Sequence, residues 1–153
     1  MPKLVHHLLL QSAAAHPERT ALILRDKSIT YRALGESAAR FAAQINALGL
    51  GRAERVAIYA EKRFESVAAM WGANMAGGVF VPVNPVLKAE QVGHILRDCA
   101  VRILVTTANR LGGLKETLAA CPDLKAVVVL DGEGDAGGAP VLRWPGEGAA
   151  AAF

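Results

Sequence analysis

Apolar residues along this chain change period repeatedly, and each change predicts an element. Val5, Leu8, Leu9 and Ala13 stand at helical spacing, and His16-Pro17 ends that run. Thr20 to Leu24 is a short apolar strand. Asp26-Lys27 reads as a tight turn into Ser28-Ile29-Thr30, so the two segments predict a hairpin. Leu34, Ala38, Phe41, Ala42, Ile45 and Leu48 then mark one face of a long helix, with Gly49 as its terminator.

From Arg55 onward strand and helix patterns alternate. Val56, Ala57 and Ile58 are contiguous, as in a strand covered on both faces. Phe64, Val67, Ala68, Trp71 and Met75 predict a core-facing helical stripe that Gly77-Gly78 stops. Val79 to Val83 is a strand interrupted by Pro82, which cannot donate to a ladder, so that strand is short or lies at an edge. Val92, Ile95, Leu96 and Cys99 predict a helix, and Ile103 to Val105 a strand. Leu111, Leu114 and Leu118 mark another helix, and Ala126 to Leu130 another strand. Such alternation predicts right-handed crossovers and an α/β fold: a mainly parallel sheet with helices on both faces. Past Asp131 the pattern fails. Asp131 to Gly138 has little to bury and predicts a mobile loop; Val141 to Trp144 could add one short strand. Residues 1–131 thus form the expected α/β subdomain, and residues 132–153 a Gly/Ala-rich loop and end.

Composition narrows this picture. The chain has 153 residues, 52% of them hydrophobic, enough for a buried core. Aromatics are only 5%, so that core must be built from Ala, Val, Leu and Ile. Net charge is +3 and the basic residues are scattered, which gives nucleic acid no concentrated cationic stripe to bind. No apolar run approaches a membrane span, and Leu8 to Leu10 is too short for a signal peptide. Cys99 and Cys121 stand far apart, without a second thiol or His at metal spacing. They read as buried free thiols of a reducing cytoplasm.

Chemistry is harder to find. In open parallel sheets ligands collect beyond the carboxyl ends of the strands. Those ends are Glu61-Lys62-Arg63, Asn84-Pro85, Thr106-Thr107 and Asp131-Gly132, a polar rim that is equally what loops at strand ends look like. Gly49-Leu50-Gly51 precedes a strand instead of following one, and the third position of a dinucleotide fingerprint falls on Glu54. No Gly is followed by Lys and then Ser or Thr, as a Walker-type loop requires. Ser12, Ser28, Ser37 and Ser66 sit on helical or turn positions without an elbow context. His6, His7, His16 and His94 lack metal spacing.

Two stretches carry a family likeness. One is Ile29-Thr30-Tyr31-Arg32-Ala33-Leu34, followed by a long helix and Gly51-Arg52-Ala53-Glu54-Arg55-Val56-Ala57-Ile58. The other is Ala76-Gly77-Gly78-Val79-Phe80-Val81-Pro82-Val83-Asn84-Pro85, continuing through Ile95-Leu96-Arg97-Asp98-Cys99 to Leu104-Val105-Thr106-Thr107. They resemble the opening of the AMP-forming acyl-CoA synthetase and adenylation-domain superfamily, over residues 3 to about 131. Residues 62–69, 78–80 and 84–88 also resemble acyl-CoA ligases associated with the exosortase A system of polysaccharide-producing bacteria.

The resemblance implies a parent enzyme that joins a carboxylic acid to the α-phosphate of ATP, releases pyrophosphate, and passes the acyl group to a thiol, usually that of CoA. Mg²⁺ would offset phosphate charge. It also implies that the phosphate-holding loop and the late lysine lie downstream of the matched segment. No catalytic, cofactor-binding or metal-ligating residue is therefore assigned in this chain. ATP, Mg²⁺ and CoA belong to the parent, and the partner of this segment is the remainder of that ligase. The expectation is an N-terminal piece without activity of its own. Rival expectations are a stand-alone binding or assembly module on the same scaffold, which the end at Ala149-Ala150-Ala151-Ala152-Phe153 equally permits, and an unrelated nucleotide-binding domain. A sheet with an uncovered apolar face also predicts self-association, with strand exchange as one route.

Overall fold

The structure is a computed structural model and describes residues 3–146. An opening helix, α1 (His6–Ala15), leads into a hairpin of β1 (Thr20–Leu24) and β2 (Lys27–Thr30). The two strands pair antiparallel as a separate two-stranded sheet, as the turn residues predict. Thr30 caps the long helix α2 (Tyr31–Ala47): its hydroxyl accepts the Ala33 N–H at 3.2 Å, satisfying an otherwise orphaned donor. Gly49 follows that helix at φ +81°, a left-handed turn that glycine adopts without the strain a Cβ would bring.

The main sheet is built by β3 (Arg55–Tyr59), α3 (Phe64–Met75), β4 (Val79–Pro82), α4 (Ala89–Asp98), β5 (Val101–Thr106), α5 (Ala108–Gly112), α6 (Lys115–Ala119), β6 (Ala126–Val129) and β7 (Val141–Arg143). All five strands run parallel, in the order β4-β3-β5-β6-β7. The chain is thus α/β with helices on both faces, and Pro82 falls on an edge strand where its missing donor is tolerated.

Alternation along the strands divides the core of the main sheet in two, and a third cluster of Leu9, Leu34, Ala38 and Ala68 lies under the hairpin. Val56, Ile58, Ile103, Val105 and Val128 turn to one face and meet Phe41 and Ile45 of α2 and Ala69 and Ala73 of α3. Ala57, Tyr59, Leu104, Val127 and Val129 turn to the other and meet Val92 and Leu96 of α4, Leu111 of α5 and Leu118 of α6. Phe41 is fully buried, and removing such a side chain from water contributes about 1.5–3 kcal/mol.

Several expectations are corrected. Helix α3 bears out its stripe only in part: Val67, Trp71 and Met75 are half-buried and pack with the buried Ala68 against Leu9, Leu34 and Ala38, whereas the fully buried face is Ser66, Ala68, Ala69, Gly72 and Ala73. Small residues win because α2 lies so close that a Cβ on Gly72 would stand 2.6 Å from the Ala38 carbonyl oxygen. Helix α1 buries Leu9 and leaves Val5 and Leu8 exposed. Ser28 is a strand residue. The helix expected through Leu111 and Leu118 is two short ones, broken at Gly113-Leu114. Segment 131–140 does bury something: Ala136 is 2% exposed and packs in the second core, and Asp135 pairs with Lys115. Beyond it β7 joins β6, so the sheet continues past residue 131. The expected Ala-rich end, from residue 147, lies outside the described residues.

Candidate functional site

Connections leave β3 toward β4 through α3 on one face, and leave β5 toward β6 through α5 and α6 on the other. They diverge between β3 and β5, the point where doubly wound sheets hold their ligands. Here that crevice is filled from within. The Arg110 guanidinium lies 4.7 Å from the centre of the Tyr59 ring. Its Nε donates to Glu61 Oε2 at 2.9 Å, and its Nη1 donates to the Pro85 carbonyl at 2.7 Å. The Tyr59 hydroxyl donates to the Leu87 carbonyl at 2.6 Å, and Thr106 Oγ1 donates to the Tyr59 carbonyl at 2.7 Å. Neutral and charged partners are thus matched inside the rim, as buried polar groups require.

Most of the rest of the rim is also paired; the Lys62 side chain, exposed beside the groove, has no hydrogen bond or ion pair among the described residues. Arg63 Nη1 stands 2.8 Å from Asp131 Oδ2, and its Nε stands 3.5 Å from Glu65. Asp131 Oδ1 accepts the Ala108 N–H at 3.0 Å at the start of α5. That amide first, and then Arg63, hold the Asp131 carboxyl below its ordinary range. Glu61 is likewise lowered, by hydrogen bonding to its own backbone and then by Arg110. Asn84 Oδ1 accepts the Val86 N–H at 3.1 Å, an Asx turn. Two of the four predicted strand-end groups therefore meet directly through Arg63 and Asp131, Arg110 links Pro85 to Glu61, and Thr106 and Thr107 lie buried beneath them.

Beside the crevice lies an apolar groove of about 550 Å³, between the hairpin and the ends of β3 and β4. Leu22 and Leu24 form one wall; Phe64, Met70 and Pro82 form the other; Glu61 and Pro85 sit on its edge. A smaller hollow of about 280 Å³ adjoins Asp131, Arg143 and Trp144.

The nucleophile and metal candidates stay apart. Ser66 Oγ donates to the Glu61 carbonyl at 3.1 Å, and His94 is exposed on α4. His6 and His7 contact edge to face at 4.8 Å; burial and then His7 lower the His6 pKa. Burial raises the Cys121 thiol, whose Sγ lies 3.3 Å from the Thr117 carbonyl. Among the described residues no three His, Cys, Asp or Glu side chains gather as a metal site needs. The rim fits magnesium-bound triphosphate poorly: both guanidinium groups are already neutralised by carboxylates, and those carboxylates are committed in return, which leaves Lys62 as a single exposed ammonium without a partner among the described residues. Sequence reasoning missed Arg110 and Tyr59. The only signal for Arg110 was its position just after β5, at the strand end where rim residues sit.

Comparison with known proteins agrees with the sheet and with the two motifs. The family described as AMP-binding enzyme matches residues 9–147. A proline–[prolyl-carrier protein] ligase of Pseudomonas fluorescens is 33% identical over 129 residues, covering 84% of this chain and 26% of that protein. A phosphinothricin tripeptide synthetase of Streptomyces viridochromogenes is 32% identical over 141 residues, covering 90% of this chain and 13% of that protein. Among solved structures, an anthranilate CoA ligase in complex with anthranoyl-AMP superposes with a TM-score of 0.80 at 26% identity, over 92% of this chain and 27% of that one. Coronafacic acid ligase from Pectobacterium brasiliense superposes with a TM-score of 0.83 at 20% identity, over 92% of this chain and 28% of that one, a likeness of fold. The chain belongs to the AMP-binding enzyme family and spans 26% and 13% of the two synthetase relatives.

Proposed function

We propose that this chain is the N-terminal α/β subdomain of an AMP-forming acid–thiol ligase and that it supplies scaffold without chemistry of its own. The parent would let a carboxylate oxygen attack the α-phosphorus of ATP, expelling pyrophosphate, and then pass the acyl group from AMP to a thiol. CoA is the acceptor in the narrower form of the proposal, the exosortase-associated type, supported by residues 62–69, 78–80 and 84–88. Kinship with a CoA ligase bound to anthranoyl-AMP supports the adenylate step.

The observation that carries the inert-scaffold reading is the rim, where Arg110–Glu61 and Arg63–Asp131 neutralise each other across the strand ends. Lys62, without a partner among the described residues, is left beside these pairs as a single ammonium, short of the convergent cations that hold a transferring phosphate. The working subdomain would run past residue 131 to include β7, which completes the sheet. A cytoplasmic setting, where ATP and CoA are at hand, suits the two unpaired cysteines. The test is exchange of radiolabelled pyrophosphate into ATP with a panel of carboxylic acids. The purified chain should give none above a protein-free blank; acid-dependent exchange would overturn the reading.

Exposed Leu8, Ile23 and Val86, the last two 75% and 79% accessible, support a further element of the proposal, self-association. Light scattering at rising concentration should report a dimer or larger species, and a monodisperse monomer would refute it.

A further inference from the structure

We propose that Arg110 is a positioning residue that sets the shape of the apolar groove by strapping the segment between β4 and α4 onto the sheet. The groove's far wall is the hairpin, held by its own ladder. Its near edge includes Glu61, Pro82, Val83, Asn84 and Pro85; the Val83 N–H makes the last bond to β3, and from Asn84 the chain has left the sheet ladder. The amides from Val86 to Lys88 make only local bonds: Val86 N–H to Asn84 Oδ1 at 3.1 Å, Leu87 N–H to the Asn84 carbonyl at 3.1 Å, and Lys88 N–H to Gln91 Oε1 at 3.0 Å. None of these ties the segment to β3 or β5.

Two side chains supply that tie. Arg110 grips the Pro85 carbonyl at 2.7 Å, and Tyr59 grips the Leu87 carbonyl at 2.6 Å. The same guanidinium holds Glu61 at 2.9 Å, so one planar group fixes two points on the groove's edge. Its stacking on Tyr59 couples the two grips. A guanidinium suits this task, since its donors are forked and rigid; an ammonium on a flexible stem cannot span both acceptors and also stack. The strap acts on groove geometry, whatever occupies the groove, and stands apart from the proposal of an inert ligase subdomain.

Amide hydrogen exchange tests it on the whole chain. Arg110→Gln should speed exchange at Val86, Leu87 and Lys88 by about tenfold, because those amides depend on a local opening that the strap suppresses. Hairpin amides at Leu22 and Leu24 should stay as they are. Tyr59→Phe, which loses one grip, should show the same pattern at about threefold and serves if the glutamine variant fails to fold. Arg110→Lys should not restore protection. Arg102→Gln breaks a comparable surface network with Glu54 and Asp123 at the opposite end of the sheet and gives the effect of general destabilisation. The proposal fails if Arg110→Gln moves residues 86–88 no more than Arg102→Gln does, or if lysine restores full protection.

Discussion

The two faces of the sheet are closed by different means. On one, α2 and α3 approach closely, with Ala38 and Phe41 of α2 crowding Gly72 and with Ala69 and Ala73 of α3 set against Phe41 and Ile45. On the other, α4, α5 and α6 stand off on Leu96, Leu111, Leu114 and Leu118. Each face contains a mid-helix glycine whose absent Cβ would meet an atom at 2.6 Å: Gly72 would meet the Ala38 carbonyl oxygen, and Gly93 would meet the Thr117 methyl. Equal distances hide unequal consequences. A carbonyl inside a helix can move only with its helix, whereas a methyl can move by rotation about one side-chain bond.

The sharpest way to break this comparison is Gly72→Ala. It should cost roughly 2–4 kcal/mol, because α2 and α3 must separate and reopen a close-packed seam. Urea denaturation would measure it, and a loss below about 1 kcal/mol would show that the seam yields.

Asp131 gives a second, smaller test, since it ties the faces together. It accepts the Ala108 amide on the α5 side and the Arg63 guanidinium at the start of α3. Its folded pKa lies below its unfolded one, so its contribution is complete above the ordinary carboxylate value near 4 and fades as pH falls through the depressed folded value. Asp131→Asn should therefore cost up to about 1 kcal/mol at neutral pH and nothing further in strong acid, where the two proteins should converge. Parallel stability–pH curves would sink that account.

The smallest effect sharpens the contrast from the other side. Gly93→Ala should be close to neutral, since a gain in helix propensity of about 1 kcal/mol offsets the displacement of Thr117. A loss matching that of Gly72→Ala would erase the difference between the faces.

Much of the fold was legible in the sequence because it is written in local patterns. The contiguous Val56-Ala57-Ile58 marked a strand covered on both sides, and Pro82 marked an edge. Hairpin, long helix and glycine stops were equally local. The buried side of α3 was not legible, because hydrophobic periodicity weights Phe64, Trp71 and Met75 by size, whereas the seam selects residues by smallness. Nor was the rim. Arg110 and Glu61 lie 49 positions apart, and Arg63 and Asp131 lie 68 apart, with nothing in either neighbourhood to announce the partner. Strand ends could be named one at a time; that they cancel each other is a property of the folded sheet.

The margins of the sheet carry a consequence of their own. Val79, Val81 and Val83 turn their amides toward β3, so the outer margin of β4 has Phe80 as its sole donor, because Pro82 has none. At the opposite margin the Arg143 carbonyl, which points away from β6, already receives the Gln44 side-chain amide at 2.8 Å. An incoming strand finds one missing tooth on the first edge and an occupied one on the second. Both margins of the main sheet therefore offer an added strand an incomplete ladder, which works against edge-to-edge growth of that sheet.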